Sequence, residues 1–178
     1  NIKERGMINL HEELKIAILI RLPYRQVLDM RRVCQNFRSL LDLEWFWKCK
    51  TERDWGWWKN RKLPPNRRGK EVYKYYLRKG EKKLNELTHK NRCLTESDNR
   101  AIQNLLELGV DPNVSYFNST PLLGLCEVCR CYSTTGCRCN YKDRTQLVYL
   151  LLQFQADMSV QDCTGKTPLN LAARNRQP

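Results

Sequence analysis

Five of the chain's nine cysteines fall within fourteen residues, CEVCRCYSTTGCRC, from Cys126 to Cys139. Four of them, Cys129, Cys131, Cys137 and Cys139, make two C-x-C pairs separated by five residues. Four thiolates satisfy a tetrahedral zinc ion, and an insert with few apolar residues has little else to order it. The expectation is one structural zinc on these four thiolates, with a C-x-C spacing tighter than the usual C-x2-C knuckle. A loop with free thiols, or a disulfide formed in air, is the competing reading. Cysteine chemistry of the nucleophilic kind needs a base, and the chain's only histidines are His11 and His89. No glycine-rich phosphate loop or acid pair stands out, so no enzymatic activity is expected.

Nine is an odd number of cysteines, and a chain of 178 residues does not depend on disulfide staples, so reduced thiols in an intracellular compartment are expected. The longest apolar runs, Ile16 to Ile20 and Leu147 to Leu152, are far shorter than a bilayer crossing needs, and no leader opens the chain, so no membrane span is expected. The chain begins at Asn1 and stops abruptly, as a fragment would.

The net charge of +13 is unevenly placed: residues 48–92 carry sixteen Lys and Arg against five acids, which is +11 of the total. That basic segment, with Trp55, Trp57, Trp58, Tyr73, Tyr75 and Tyr76 interleaved, has the residue types that grip phosphates and stack bases. A zinc-containing nucleic-acid binder is therefore the alternative function. The favoured reading is a solvated helical connector whose aromatics pack inward and whose charge steers it toward an acidic protein partner.

The elements that position these groups begin at Leu10. Leu14, Ile18 and Leu22 recur every four residues on one helical face, which Ile16, Leu19 and Ile20 widen. Leu22-Pro23 stops that helix, because proline lacks an amide donor and disfavours helical geometry in the residue before it. A second helix is expected from Val27 through Leu41, and Trp45-Phe46-Trp47 closes the unit. Three short helices with more apolar surface than they can bury among themselves suggest a docking module.

The order Leu10, Glu13-Leu14, Ile18-Leu19, Leu22-Pro23, Val27, Val33-Cys34, Phe37, Leu40 and Trp47 resembles the F-box pattern without a gap, with His11 in place of a proline and Phe37 in place of a tryptophan. The resemblance implies a module at 8–50 that binds the small adaptor subunit of cullin-based ubiquitin ligases. Leu10, Leu22, Pro23, Val33, Phe37 and Trp47 are the expected adaptor-binding residues. Residues 51–92 are expected to form a basic helical connector, a stiff spacer broken at Leu63-Pro64-Pro65-Asn66 and interrupted at Gly80.

Residues 104–126 align with 149–173, and the second copy carries Thr167-Pro168-Leu169 ten residues after Asp157. This is similar to the ankyrin repeat, which implies helix pairs joined by hairpin tips over 93–178, with Gly165 at a left-handed turn position. The first copy lacks that glycine, so its tip at Ser115 to Ser119 is expected to be distorted. Thr120 and Thr167 lie 47 residues apart against 33 in an ordinary repeat. The surplus falls in the cysteine-rich loop 127–142, an enlarged turn between two helices, and leaves Cys126 as a small core residue aligned with a buried Ala173.

The whole is expected to be all-α: a three-helix F-box, a helical connector and ankyrin-type helix pairs. The implied function is a non-catalytic substrate receptor of an SCF-type ubiquitin ligase, with an unknown protein substrate held at the hairpin tips by Tyr116, Phe117, Asn118 and Asp162. An F-box joined to ankyrin repeats also resembles arrangements in intracellular bacterial effectors and large DNA viruses. It implies a cytoplasmic or nuclear location, the host cytosol in those cases.

Overall fold

The computed structural model describes residues 10–56, 69–89, 94–127 and 141–175; these hold nine α-helices and no strand. In chain order the helices are α1 (Leu10–Arg21), α2 (Tyr24–Met30), α3 (Gln35–Asp42), α4 (Glu44–Trp55), α5 (Lys70–Thr88), α6 (Glu96–Glu107), α7 (Pro121–Cys126), α8 (Tyr141–Gln153) and α9 (Pro168–Arg174). The chain divides into two units, 1–77 and 78–178. That division falls inside the stretch 51–92 expected to be a connector.

In the first unit, α1 carries Glu12 and Glu13 in its first turn and Arg21 in its last, each sign matched to the helix dipole. Ile16 and Leu19 are its buried positions. The second helix expected over Val27 to Leu41 is two helices. After Met30 the backbone tightens into three successive i to i+3 bonds, Arg31 to Leu28, Arg32 to Asp29 and Val33 to Met30, and Cys34 is extended (φ −157°, ψ 164°). A fresh start at Gln35 then turns Leu40 and Leu41 inward.

The Trp45-Phe46-Trp47 element is the first turn of α4, whose buried positions Phe46, Trp47, Lys50, Asp54 and Trp55 repeat at helical spacing. The expected interruption at Gly80 is absent: α5 runs unbroken from Lys70 to Thr88 with Gly80 buried inside it. A helix-interior glycine costs about 1 kcal/mol relative to alanine, too little to break nineteen residues otherwise rich in Lys, Leu and Glu. Of the connector aromatics, Trp55, Tyr73 and Tyr76 pack inward and Tyr75 is half-buried. Tyr73 stacks on Tyr24 at 5.3 Å between ring centroids and lies 5.6 Å from Trp47, while Trp55 stacks on Tyr76 at 6.2 Å. Trp57 and Trp58 lie outside the described residues.

In the second unit α7 packs on α8, α6 on α8 and α7 on α9, so α6 with α8 and α7 with α9 form two layers. The two aligned segments share backbone detail. After α6 the Val110 amide bonds Leu105 O and Gly109 bonds Leu106 O; after α8 Ala156 bonds Leu151 O and Gln155 bonds Leu152 O. Each is a Schellman ending, with its left-handed residue at Gly109 (φ 88°) and Gln155 (φ 65°). Asp111 and Asp157 follow at equivalent places, each accepting the amide two residues on. The Asn113 side chain spans the copies, donating to Gln155 O at 2.9 Å and accepting from the Asp157 amide at 2.7 Å.

The copies differ in what covers them. Pro112, Leu122 and Cys126 are buried, whereas their counterparts Met158, Leu169 and Ala173 are exposed. The buried environment expected for Ala173 is thus corrected: α9 packs on α7, and its buried residues are Pro168 and Leu171. Cys126 is the core residue expected, and burial pushes its thiol up to about 11. With about one thiol in a thousand ionised at pH 8, Cys126 should resist iodoacetamide while the exposed Cys34 and Cys163 react. Peptide mass mapping of native protein reads this directly, and rapid labelling of Cys126 would contradict it.

Gly124 supplies room for an imidazole: a Cβ there would lie 2.6 Å from His89 Cε1 and 2.7 Å from Nδ1. That ring is fixed. Nδ1 donates to Asn85 O at 2.9 Å, since a carbonyl only accepts, and Nε2 meets Ser119 Oγ at 2.6 Å. Alanine is the better helix former by about 1 kcal/mol, but overpacking a fixed ring costs about 1–3 kcal/mol. Gly124→Ala should therefore lower the melting temperature, and His89→Ala added to it should recover part of the loss.

Candidate functional site

The surface around the Leu22-Pro23 corner is built from α1 outward. With Ile16 and Leu19 turned into the core, the four-residue spacing leaves Leu14 and Ile18 on the outer face, each 60% exposed, and leads to the half-buried Leu22 and Pro23. Val33 adds a residue 64% exposed, Leu43 is exposed, and Phe37 is half-buried. Leucine and isoleucine standing out on α1, with valine and leucine exposed at the turns after α2 and α3, are what a docking face needs and a solvated face avoids.

Of the residues expected to bind the adaptor, Val33 stands on the surface and Leu22, Pro23 and Phe37 are partly covered. The Leu10 side chain lies outside the described residues. Trp47 is buried at 2% exposure, its indole Nε1 donating to Leu41 O at 2.7 Å and its ring set among Tyr24, Phe46 and Tyr73. It holds the module together from inside. Leu14 and Ile18, placed on one face by their spacing, were not among the expected adaptor-binding residues, because α1 is apolar almost all round and spacing alone does not tell which stripe faces water; Leu43, between α3 and α4, carried no such signal.

The corner is fastened from below by a charged residue. Lys50 is fully buried, and its ammonium donates to Ile20 O at 3.0 Å, Leu22 O at 2.7 Å and Asp54 Oδ2 at 2.8 Å. The Tyr73 hydroxyl donates to the same Asp54 oxygen at 2.8 Å, and the ammonium lies 5.4 Å from the Tyr73 ring centroid. Arg53 adds a bond to Ile20 O at 2.6 Å. Burial holds the Lys50 ammonium below the usual lysine range; burial and the Asp54 charge hold Tyr73 above the usual tyrosine range. The one sequence signal was the i, i+4 spacing of Lys50 and Asp54, which on most helices marks an exposed pair.

Residues 7–49 match the F-box domain. F-box domains bind the small adaptor subunit of cullin-based ubiquitin ligases, and the exposed stripe lies within the matched F-box segment. Lys50, Asp54 and Tyr73 lie beyond it. No curated protein and no solved structure matches the chain.

The hairpin tips form the other candidate surface. In the first, Tyr116 and Ser119 exchange both backbone bonds at 3.0 Å around Phe117 (φ 52°) and Asn118 (φ 59°). Two successive left-handed residues make the tight turn that matches strand twist, which asparagine tolerates and phenylalanine rarely adopts. The tip thus departs from its glycine-bearing counterpart, where Gly165 sits at φ 76°. Phe117 is fully solvent-exposed and Asn118 exposed; Tyr116 is half-buried, and burial raises its hydroxyl above the usual range. Asp162 is engaged by its own turn: Oδ1 accepts from the Thr164 amide and hydroxyl and the Lys166 amide, which holds the carboxyl below the usual range.

Cys129, Cys131, Cys137 and Cys139 lie outside the described residues, and among the described residues no group of three or more His, Cys, Asp or Glu could hold a metal. Among those residues no helix is long and apolar enough to cross a membrane.

Proposed function

We propose that this chain is a non-catalytic substrate-recognition subunit of an SCF-type ubiquitin ligase. Its F-box docks on the adaptor through Leu14, Ile18, Leu22, Pro23, Val33 and Phe37, and its second unit, an ankyrin-type stack, holds a protein substrate. The observation that carries the reading is the F-box match at 7–49 on a segment whose outer face is apolar. Such a subunit accelerates ubiquitin transfer by raising the local concentration of substrate near the ubiquitin-loaded enzyme.

The ankyrin reading is supported by the two-layer packing, the repeated Schellman endings and the Asn113 bridge. Substrate is held at the first tip, by the exposed Phe117 and Asn118 with Tyr116 beside them; Asp162 shapes the second tip. Co-purification of the full chain with the adaptor tests the docking half. Loss of capture in Leu22→Ala/Pro23→Ala with an unchanged second unit supports it, and wild-type capture opposes it. Salt-sensitive binding to arbitrary nucleic acid without adaptor capture would favour the alternative instead.

The four paired cysteines hold one structural zinc in this reading, supported by their spacing and by the few apolar residues of the insert that carries them. One equivalent of zinc that disappears in Cys137→Ser/Cys139→Ser is the expected elemental analysis. Metal-free protein with a folded second unit would refute it.

A further inference from the structure

Lys50 is the first residue pair-bonded into the F-box core from outside the matched segment, and what it grips is backbone at the docking corner. Leu22-Pro23 leaves the end of α1 without a next helical turn, so the carbonyls of Ile20 and Leu22 need donors from elsewhere. A buried ammonium at 3.0 and 2.7 Å supplies both at once. Asp54 neutralises it at 2.8 Å, and the Tyr73 hydroxyl satisfies a second lone pair of Asp54 Oδ2. The chain thus passes from corner to α4 to α5 through one set of polar atoms.

We propose that Lys50, supported by Asp54 and Tyr73, is a positioning residue for adaptor docking: it sets the direction in which the chain leaves α1 and hence where Leu22, Pro23 and α2 stand relative to Leu14 and Ile18. The proposal rests on the F-box reading and extends the functional module to residue 73. An apolar replacement of the triad would fill the same volume and keep the core, but it could not bond two carbonyls, so the corner would lose its fixed direction while the fold survives.

The test uses the full chain with the purified adaptor. Lys50→Met/Asp54→Leu/Tyr73→Phe is expected to melt within a few degrees of wild type by circular dichroism and to bind the adaptor at least tenfold more weakly, whereas Lys50→Arg recovers part of the affinity. Wild-type affinity in a folded triple variant overturns the proposal. Hydrogen exchange of the wild-type protein is the second measurement, independent of any variant. The amides of Leu22 and Val27, bonded to Leu19 O and Pro23 O, are expected to be protected like the α4 core, and exchange at surface rates would overturn the proposal. If wild-type protein fails to bind the adaptor, the F-box reading falls and takes the docking role of Lys50 with it; normal wild-type binding with an insensitive triple variant removes the Lys50 role alone.

Discussion

Leu14→Asp/Ile18→Asp is expected to abolish adaptor capture, a loss of a hundredfold or more, while the protein melts as before. Both side chains already lie 60% exposed, so the free protein gives up little packing when they become polar. In a complex the same carboxylates would be buried without partners, and an unpaired buried charge is strongly unfavourable. Hundredfold is about 2.7 kcal/mol, within what two apolar anchors at the centre of an interface supply. Ile16→Asp gives the opposite pattern, since Ile16 is buried: it should unfold the first unit. Binding by calorimetry with melting curves on both variants separates the cases, and full affinity in the double aspartate variant would place the docking face elsewhere.

Lys50→Met is expected to destabilise the first unit by about 3–5 kcal/mol, the range for removing one member of a buried ion pair. The Asp54 carboxylate would remain almost fully buried with its ammonium gone, and the carbonyls of Ile20 and Leu22 would lose their shared donor. Arg53 still reaches Ile20 O and Asp54 Oδ1, but its side chain is partly exposed and its help is screened. Adding Asp54→Leu and Tyr73→Phe should restore most of the stability, because the uncompensated charge then disappears. A small loss in the single variant, by urea denaturation, would mean that water reaches Asp54.

The fold was legible where periodicity or proline decided it. The Leu22-Pro23 stop, the inward aromatics of the connector and the second-unit copies follow from residue types alone. The break before Gln35 was not legible, since Arg31 to Cys34 contains neither glycine nor proline and the tightening there is a backbone event. Gly80 misled in the other direction, because one glycine in a long helix costs less than the packing it joins. On α1 the four-residue spacing of Leu14, Ile18 and Leu22 was legible, but with Ile16, Leu19 and Ile20 widening the face it did not tell which stripe stays exposed. Trp47, a residue type enriched at interfaces, is buried, and Lys50, a type most often left in water, is the most enclosed charge among the described residues.

The exposed Met158, Leu169 and Ala173 take the places that Pro112, Leu122 and Cys126 hold, buried, in the first of the two aligned segments. If the second unit is the ankyrin-type stack proposed above, each layer meets only its neighbours, and this exposed face is the one on which another layer would rest. On that reading a helix pair grafted onto this face would lengthen the groove with α6 to α9 left as they are, and groove length would become a parameter independent of the module that docks.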